Sequence, residues 1–98
     1  MIEIRRTQAY IDFIAGLRDK KARAMIAVRV DRLAHGNPGD AAPVGEGVSE
    51  LRLHYGPGYR VYYIQRGQIL IVLLCGGDKA SQARDIKYAK ELARDLEV

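Results

Sequence analysis

The amino-acid sequence predicts an α+β fold: a helical hairpin packed on a small antiparallel sheet, with elements in the order β-α-α-β-β-β-α. Three observations carry this. Up to about residue 35 apolar residues recur at helical spacing; from 51 to 75 they alternate or run unbroken; from Ser81 onward helical spacing returns.

Ile2-Glu3-Ile4-Arg5 alternates and predicts a short strand. Thr7 has the chemistry of an N-cap, and Tyr10, Phe13, Ile14 and Leu17 follow on one helical stripe. Asp19-Lys20 interrupts that stripe. A second helix is predicted from Lys20 to about His35, with Ala22, Met25, Ile26, Val30 and Leu33 inward, and Gly36-Asn37-Pro38-Gly39 stops it. So short a junction makes the two helices an antiparallel hairpin. Residues 36 to 47 hold four glycines and two prolines and read as a loop. Leu51, Leu53 and Tyr55 then alternate with Glu50, Arg52 and His54; Gly56-Pro57-Gly58 is a turn; and Tyr59, Val61 and Tyr63 alternate with Arg60, Tyr62 and Ile64. After the Arg66-Gly67 turn, Gln68 to Cys75 is almost wholly aliphatic, the pattern of a strand covered on both faces. The hairpin supplies one cover. The helix predicted from Ser81 to about Leu96, with Ala83, Ile86, Ala89, Ala93 and Leu96 inward, is left to supply the other.

The 98 residues fit one domain spanning 1–98, and a composition 48% hydrophobic and 29% charged is that of a globular chain. The net charge of +4 suits a polyanion or an acidic protein as partner, and equally an ordinary basic surface. Cys75 stands alone, which allows no internal disulfide and agrees with a reducing cytoplasm. Residues 1–5 have no apolar core of a secretory leader, and the run Ile69–Cys75 is too short for a transmembrane helix, so no membrane association is expected. His35, His54 and Cys75 have no zinc spacing, and no metal or organic cofactor is indicated.

Strand parity yields the candidate site. If Gly56-Pro57-Gly58 is a three-residue loop, Tyr55 faces Tyr59, His54 pairs with Arg60, and Arg52 pairs with Tyr62. Arg52, His54, Arg60 and Tyr62 then share one open face, while Leu51, Leu53, Val61 and Tyr63 face the helices. Arginines grip phosphates bidentately, a tyrosine ring receives an unstacked base, and a histidine moves protons near neutral pH. A solvated sheet face carries the same pattern. On the open face, Arg60→Ala should shift stability by under about 0.5 kcal/mol. The Gly76-Gly77-Asp78-Lys79-Ala80-Ser81 segment leads into the last helix; its glycines and free amides could hold an anion near Lys79, or it could simply be a turn capped by Asp78 or Ser81.

Taken together, Glu50-Leu51-Arg52-Leu53, Gly58-Tyr59-Arg60-Val61-Tyr62-Tyr63, Leu73-Leu74-Cys75-Gly76-Gly77-Asp78-Lys79 and Asp85-Ile86 resemble the phage-derived, HigB-like group of RelE/ParE toxins, across essentially the whole chain. The resemblance implies a cytoplasmic type II toxin neutralised by a cognate antitoxin, often a helix-turn-helix protein, and acting as a metal-independent mRNA endonuclease in the ribosomal A site. It carries the strand arginine of RelE-type toxins onto Arg60 and their basic position after the last strand onto Lys79. With His54 as the candidate base, these three form the expected catalytic set, and Arg52, Tyr62, Arg84 and Lys87 the expected RNA-binding set. Tyr88 lies near the final-helix tyrosine of RelE-type toxins without aligning to it, which leaves the proton-transfer roles open. Two alternatives follow from the same resemblance: a ParE-type gyrase inhibitor without nuclease chemistry, and a toxin-like domain that only binds nucleic acid or its antitoxin.

Overall fold

The computed structural model describes residues 1–96. Its elements are β1 (Glu3–Arg6), α1 (Gln8–Gly16), α2 (Lys20–Ala34), β2 (Ala41–Gly45), β3 (Val48–Arg52), β4 (Arg60–Arg66), β5 (Leu70–Gly77) and α3 (Gln82–Asp95). The expected class and all the expected elements are present, with one strand more. Thr7 caps α1 by accepting from the Tyr10 amide at 3.1 Å. Asp19 caps α2 by accepting from the amides of Lys21 and Ala22 at 3.0 and 3.1 Å. Such side chains supply acceptors for amides that a helix end leaves unpaired.

The sheet has five strands in the order β1-β5-β4-β3-β2. Two features depart from the sequence reading. The segment read as a loop contains β2, joined to β3 by Glu46 and Gly47, both at positive φ (54° and 78°). A two-residue turn of that hand matches strand twist. Ala-Ala-Pro-Val-Gly shows no alternation, and Pro43 is tolerated because β2 is an edge strand. The second departure is that β1 runs parallel to β5, so the sheet is mixed rather than wholly antiparallel.

Each face has its own core. On one side Tyr10 of α1 and Ile26, Val30 and Leu33 of α2 close over Leu51, Leu53, Val61 and Ile71. On the other, Ala89, Ile86, Leu92 and Ala93 of α3 close over Tyr62, Ile64, Val72 and Leu74. Leu92 takes the inward place expected of Ala83, which is exposed. A bulge sharpens this division. Tyr62 pairs with Cys75 and Tyr63 with Leu73, so Leu74 has no opposite number. The extra residue puts Leu74 and Cys75, neighbours in sequence, on the same α3 side.

Candidate nucleic-acid interface

β3 and β4 pair Arg52 with Arg60, Leu51 with Val61 and Glu50 with Tyr62. The register differs by two residues from the one expected, because the connection is longer: Leu53 N donates to Tyr59 O at 3.0 Å beyond the last paired residues. A shift of two leaves the side chains within the strands on their faces, but β3 ends at Arg52, so the alternation does not carry His54 onto that face, and His54 lines a cleft beside α2 with Leu53. Arg52, Arg60 and Tyr62 share one face, and Leu51, Leu53 and Val61 the other, as parity required.

That face is not open. α3 lies over it, leaving Arg60 7% exposed and Tyr62 fully buried. With them lies Glu50, 2% exposed, which the sequence reading did not single out. Its Oε1 is 3.8 Å from Arg60 Nε, and its Oε2 accepts from Gln82 Nε2 on the first turn of α3 at 2.8 Å. Glu50 thus ties β3, β4 and α3 together. The signal was available: Glu50 has the parity of Arg52 and must share its face. Arg60 Nη1 donates to the carbonyls of Gly58 and Tyr59 at 3.0 and 3.3 Å, while Arg60 Nε and the Tyr62 hydroxyl are buried without a hydrogen-bond partner among the described residues. Burial, then the nearby Glu50 and Asp85 carboxylates, push the Tyr62 hydroxyl well above its ordinary pKa. Neither Arg60 nor Tyr62 offers a free surface to RNA.

The two glycines after β5 serve packing. A Cβ on Gly76 would run into the Phe13 ring, and one on Gly77 into the Asp85 carboxylate and Ser81 Oγ. They let α1 and α3 close on opposite sides of the same strand end. Asp78 and Ser81 bond reciprocally: Asp78 N donates to Ser81 Oγ at 3.3 Å, and Ser81 N to Asp78 Oδ1 at 3.1 Å. Ser81 Oγ also donates to Asp85. The positive end of α3 is therefore occupied by the protein's own carboxylates, Asp78 and Asp85. The segment is a turn closed by Asp78 and Ser81; Ser81 stands at the N-cap position of α3 but its hydroxyl caps no helix amide, being bonded to Asp78 and Asp85 instead.

Exposed cations lie around it. Lys79 is exposed, and its backbone amide donates to Pro57 O at 3.4 Å, which seats it against the 56–58 turn. A Cβ on Gly58 would stand 3.3 Å from Lys79 Cβ and 3.5 Å from Arg60 Nη1. The Lys79 Cβ and the Arg60 guanidinium therefore both lie against Gly58. Arg84, with 81% of its side chain exposed and its Nε 3.5 Å from Asp85 Oδ1, and Lys87 project outward from α3, and Tyr88 beside them is 44% exposed. Their spacing of three and four puts these residues on one helical stripe.

His54 joins a different group. Its Nε2 donates to Asp40 Oδ2 at 2.5 Å, and Arg52 donates to Asp40 Oδ1 at 2.8 Å. These bonds, His54 first, hold the Asp40 carboxyl below the usual carboxylate range. The His54 ring lines a cleft against α2. Cys75 is buried, and burial pushes its thiol up to about 12, the state of a core side chain rather than a nucleophile.

Comparison with known proteins agrees with this architecture. Residues 12–96 match the family described as phage derived protein Gp49-like. An uncharacterised protein of Haemophilus influenzae is 44% identical over 95 residues, covering 97% of this chain and 96% of that protein. A solved structure of a doubly substituted E. coli RelE toxin in its free state superposes with a TM-score of 0.71 at 15% identity, over 97% of this chain and 98% of that one. The chain belongs to the phage-derived Gp49-like family and carries the fold of the RelE/ParE toxins.

Proposed function

We propose that the protein is the toxin of a type II toxin–antitoxin pair and that it cleaves mRNA on the ribosome, in the cytoplasm. The family and the fold support the first part. The observation that carries the second is the run of exposed groups Lys79, Arg84, Lys87 and Tyr88 along the loop and outer stripe of α3, with Lys79 against the Gly58 turn. Three cations beside an exposed ring fit a strand of RNA, because phosphates take the charge and a base takes the ring.

In this reading the ribose 2′-hydroxyl loses its proton to a base and attacks the adjacent phosphate, the P–O5′ bond breaks, and the leaving 5′-oxygen takes up a proton, giving a 2′,3′-cyclic phosphate and a 5′-hydroxyl end. Lys79 stabilises the charge developing there, and Arg84 and Lys87 hold flanking phosphates. Tyr88, on the same stripe, is the exposed group placed to stack on a base or move a proton. Arg60 is a positioning residue: buried against Glu50 and bonded to the Gly58 and Tyr59 carbonyls, it braces the turn on which Lys79 rests. Arg52 is half-exposed but engaged with Asp40, so it guides RNA at most from the margin. Tyr62 acts as core, and His54 belongs to the cleft beside α2.

The test is induced expression with mapping of transcript ends. Ribosome-dependent cuts are expected, and Lys79→Ala should slow cutting by on the order of 100-fold, the scale for losing a preorganised charge at a reacting oxyanion. Arg84→Ala with Lys87→Ala should lower the salt dependence of ribosome binding, each by about one phosphate contact. DNA breaks without transcript cuts would favour gyrase as the target, and no growth defect would favour a binding-only domain.

A further inference from the structure

α2 turns a second stripe outward. Lys21, Ala24, Val28 and Arg32 are spaced three, four and four apart and lie on one face. The ends are cationic and the middle is small and apolar. With Met25, Arg29, Leu53 and His54 they line a cleft of about 350 Å³, and no carboxylate is in its lining. Val28 is 49% exposed, while Leu53 is core and forms the floor. The walls are fixed. Arg29 donates to the carbonyls of Arg52 at 2.8 Å and Asp40 at 3.0 Å, and His54 is tied to Asp40. Lys21 lies over the Tyr55 ring at 5.3 Å, and among the described residues neither Lys21 nor Arg32 forms an ion pair. A larger groove, of about 660 Å³ beside β1, mixes Arg6 and Arg23 with Glu3 and Asp31 and so selects no sign of charge.

We propose that the α2 cleft docks an acidic amphipathic helix of a protein partner. Its aliphatic residues sit over Ala24, Val28 and Leu53, and its carboxylates reach Lys21 at one end and Arg32 at the other. Lys21 and Arg32 are eleven residues apart, about 16 Å along the axis, so the partner needs about three turns. RNA fits poorly, because the floor is aliphatic and the nearest ring, Tyr55, is half-buried under Lys21. A second copy fits poorly too: the outer stripes of α2 and α3 are themselves basic. On the toxin reading this partner is the antitoxin; the identity of the partner rests on that reading, and the docking itself does not.

The probes are two synthetic peptides of about 15 residues, long enough to hold a helix, sharing one aliphatic stripe but flanked by glutamates or by lysines. Fluorescence anisotropy with the full chain measures their affinities. The glutamate peptide should bind at least about tenfold tighter than the lysine peptide. Lys21→Glu and Val28→Glu should each weaken it by about tenfold, and Lys21→Glu should strengthen the lysine peptide. Neither loss can be blamed on unfolding: a glutamate in the first turn of α2 favours the helix dipole, Val28 is half-exposed, and melting curves check both. Both variants should cut transcripts as the parent does. Equal binding of the two peptides, no binding of either, indifference to Lys21→Glu, or displacement by a single-stranded RNA oligomer would overturn the proposal. Absence of transcript cutting by the parent would defeat the toxin reading alone.

Discussion

Arg60→Ala should destabilise the fold severely, and the size of the loss follows from what Arg60 leaves behind. Arg60 is 7% exposed and Glu50 2% exposed, with Nε and Oε1 3.8 Å apart. Truncation removes the cation beside a carboxylate that water hardly reaches. Removing one partner of a buried pair costs about 3–5 kcal/mol, a large share of the roughly 5–15 kcal/mol that holds a domain together. At about 4–8 °C per kcal/mol for a chain of this length, the melting temperature should fall by at least about 12 °C. Glu50→Gln leaves Arg60 as the unpaired charge and should be similarly costly. The pair Glu50→Gln with Arg60→Met removes both charges while keeping volume, so its cost should fall short of the sum of the two single changes by about 1–3 kcal/mol. Urea unfolding followed by circular dichroism measures all three, and a shifted midpoint at constant slope reports stability. A loss under about 0.5 kcal/mol for Arg60→Ala would restore the open-face placement. Strict additivity in the double variant would show that the two groups do not interact.

Thr7 Oγ1 accepts from Tyr10 N and donates to Leu74 O at 2.5 Å, so Thr7→Ala should cost about 1–2 kcal/mol in urea unfolding and Thr7→Ser much less; equal losses would mean the methyl group matters, not the cap. Gly77→Ala places a methyl against Asp85 and should cost about 1–3 kcal/mol or more, partly recovered when Asp85→Ala is added; no recovery would move the clash elsewhere. The Asp40 carboxyl titrates below its ordinary range, so its contribution to stability is present above the unfolded carboxylate pKa of about 3.9 and is lost as pH falls through the lower folded value. Carbon-detected NMR titration should show the Asp40 midpoint rising in His54→Ala, and an unmoved midpoint would break the assignment.

What was legible in the sequence depended on which physical rule was asked. Helix faces and the first cap were readable because Thr7 and the spacing of Ile26, Val30 and Leu33 are local facts, whereas Asp19, read as a break, turned out to cap α2. β2 was not, because Ala41–Gly45 pairs through its backbone and carries no alternation to read. The parallel pairing of β1 with β5 was not either: it joins residues nearly seventy apart, such as Glu3 and Leu70, with no turn between them to declare it. The glycines at 76 and 77 were visible, but two kinds of neighbour suit a missing side chain, a ligand or another part of the chain. Only Phe13 and Asp85 in place decide between them.

The instructive case is the face of β4. Parity sorted Arg52, Arg60 and Tyr62 correctly through a register shift of two, because the side-chain period is also two. Parity says which residues share a face; it says nothing about whether that face meets water. A second rule did. The aliphatic run of β5 required a layer on both sides, and α3 was the element left to provide one. β5 and β4 are hydrogen-bonded neighbours, so a helix long enough to cover Val72 and Leu74 also covers Tyr62 and reaches Arg60. The two inferences, an open basic face and a doubly covered strand, conflict over those residues. The covered strand prevails because aliphatic burial is gained along the whole of β5, whereas one charge can be accommodated by a same-parity carboxylate. Glu50 is that carboxylate. The RNA-binding charges then have to be sought on the outside of the covering helix, at Arg84 and Lys87, with Lys79 at the loop that leads into it.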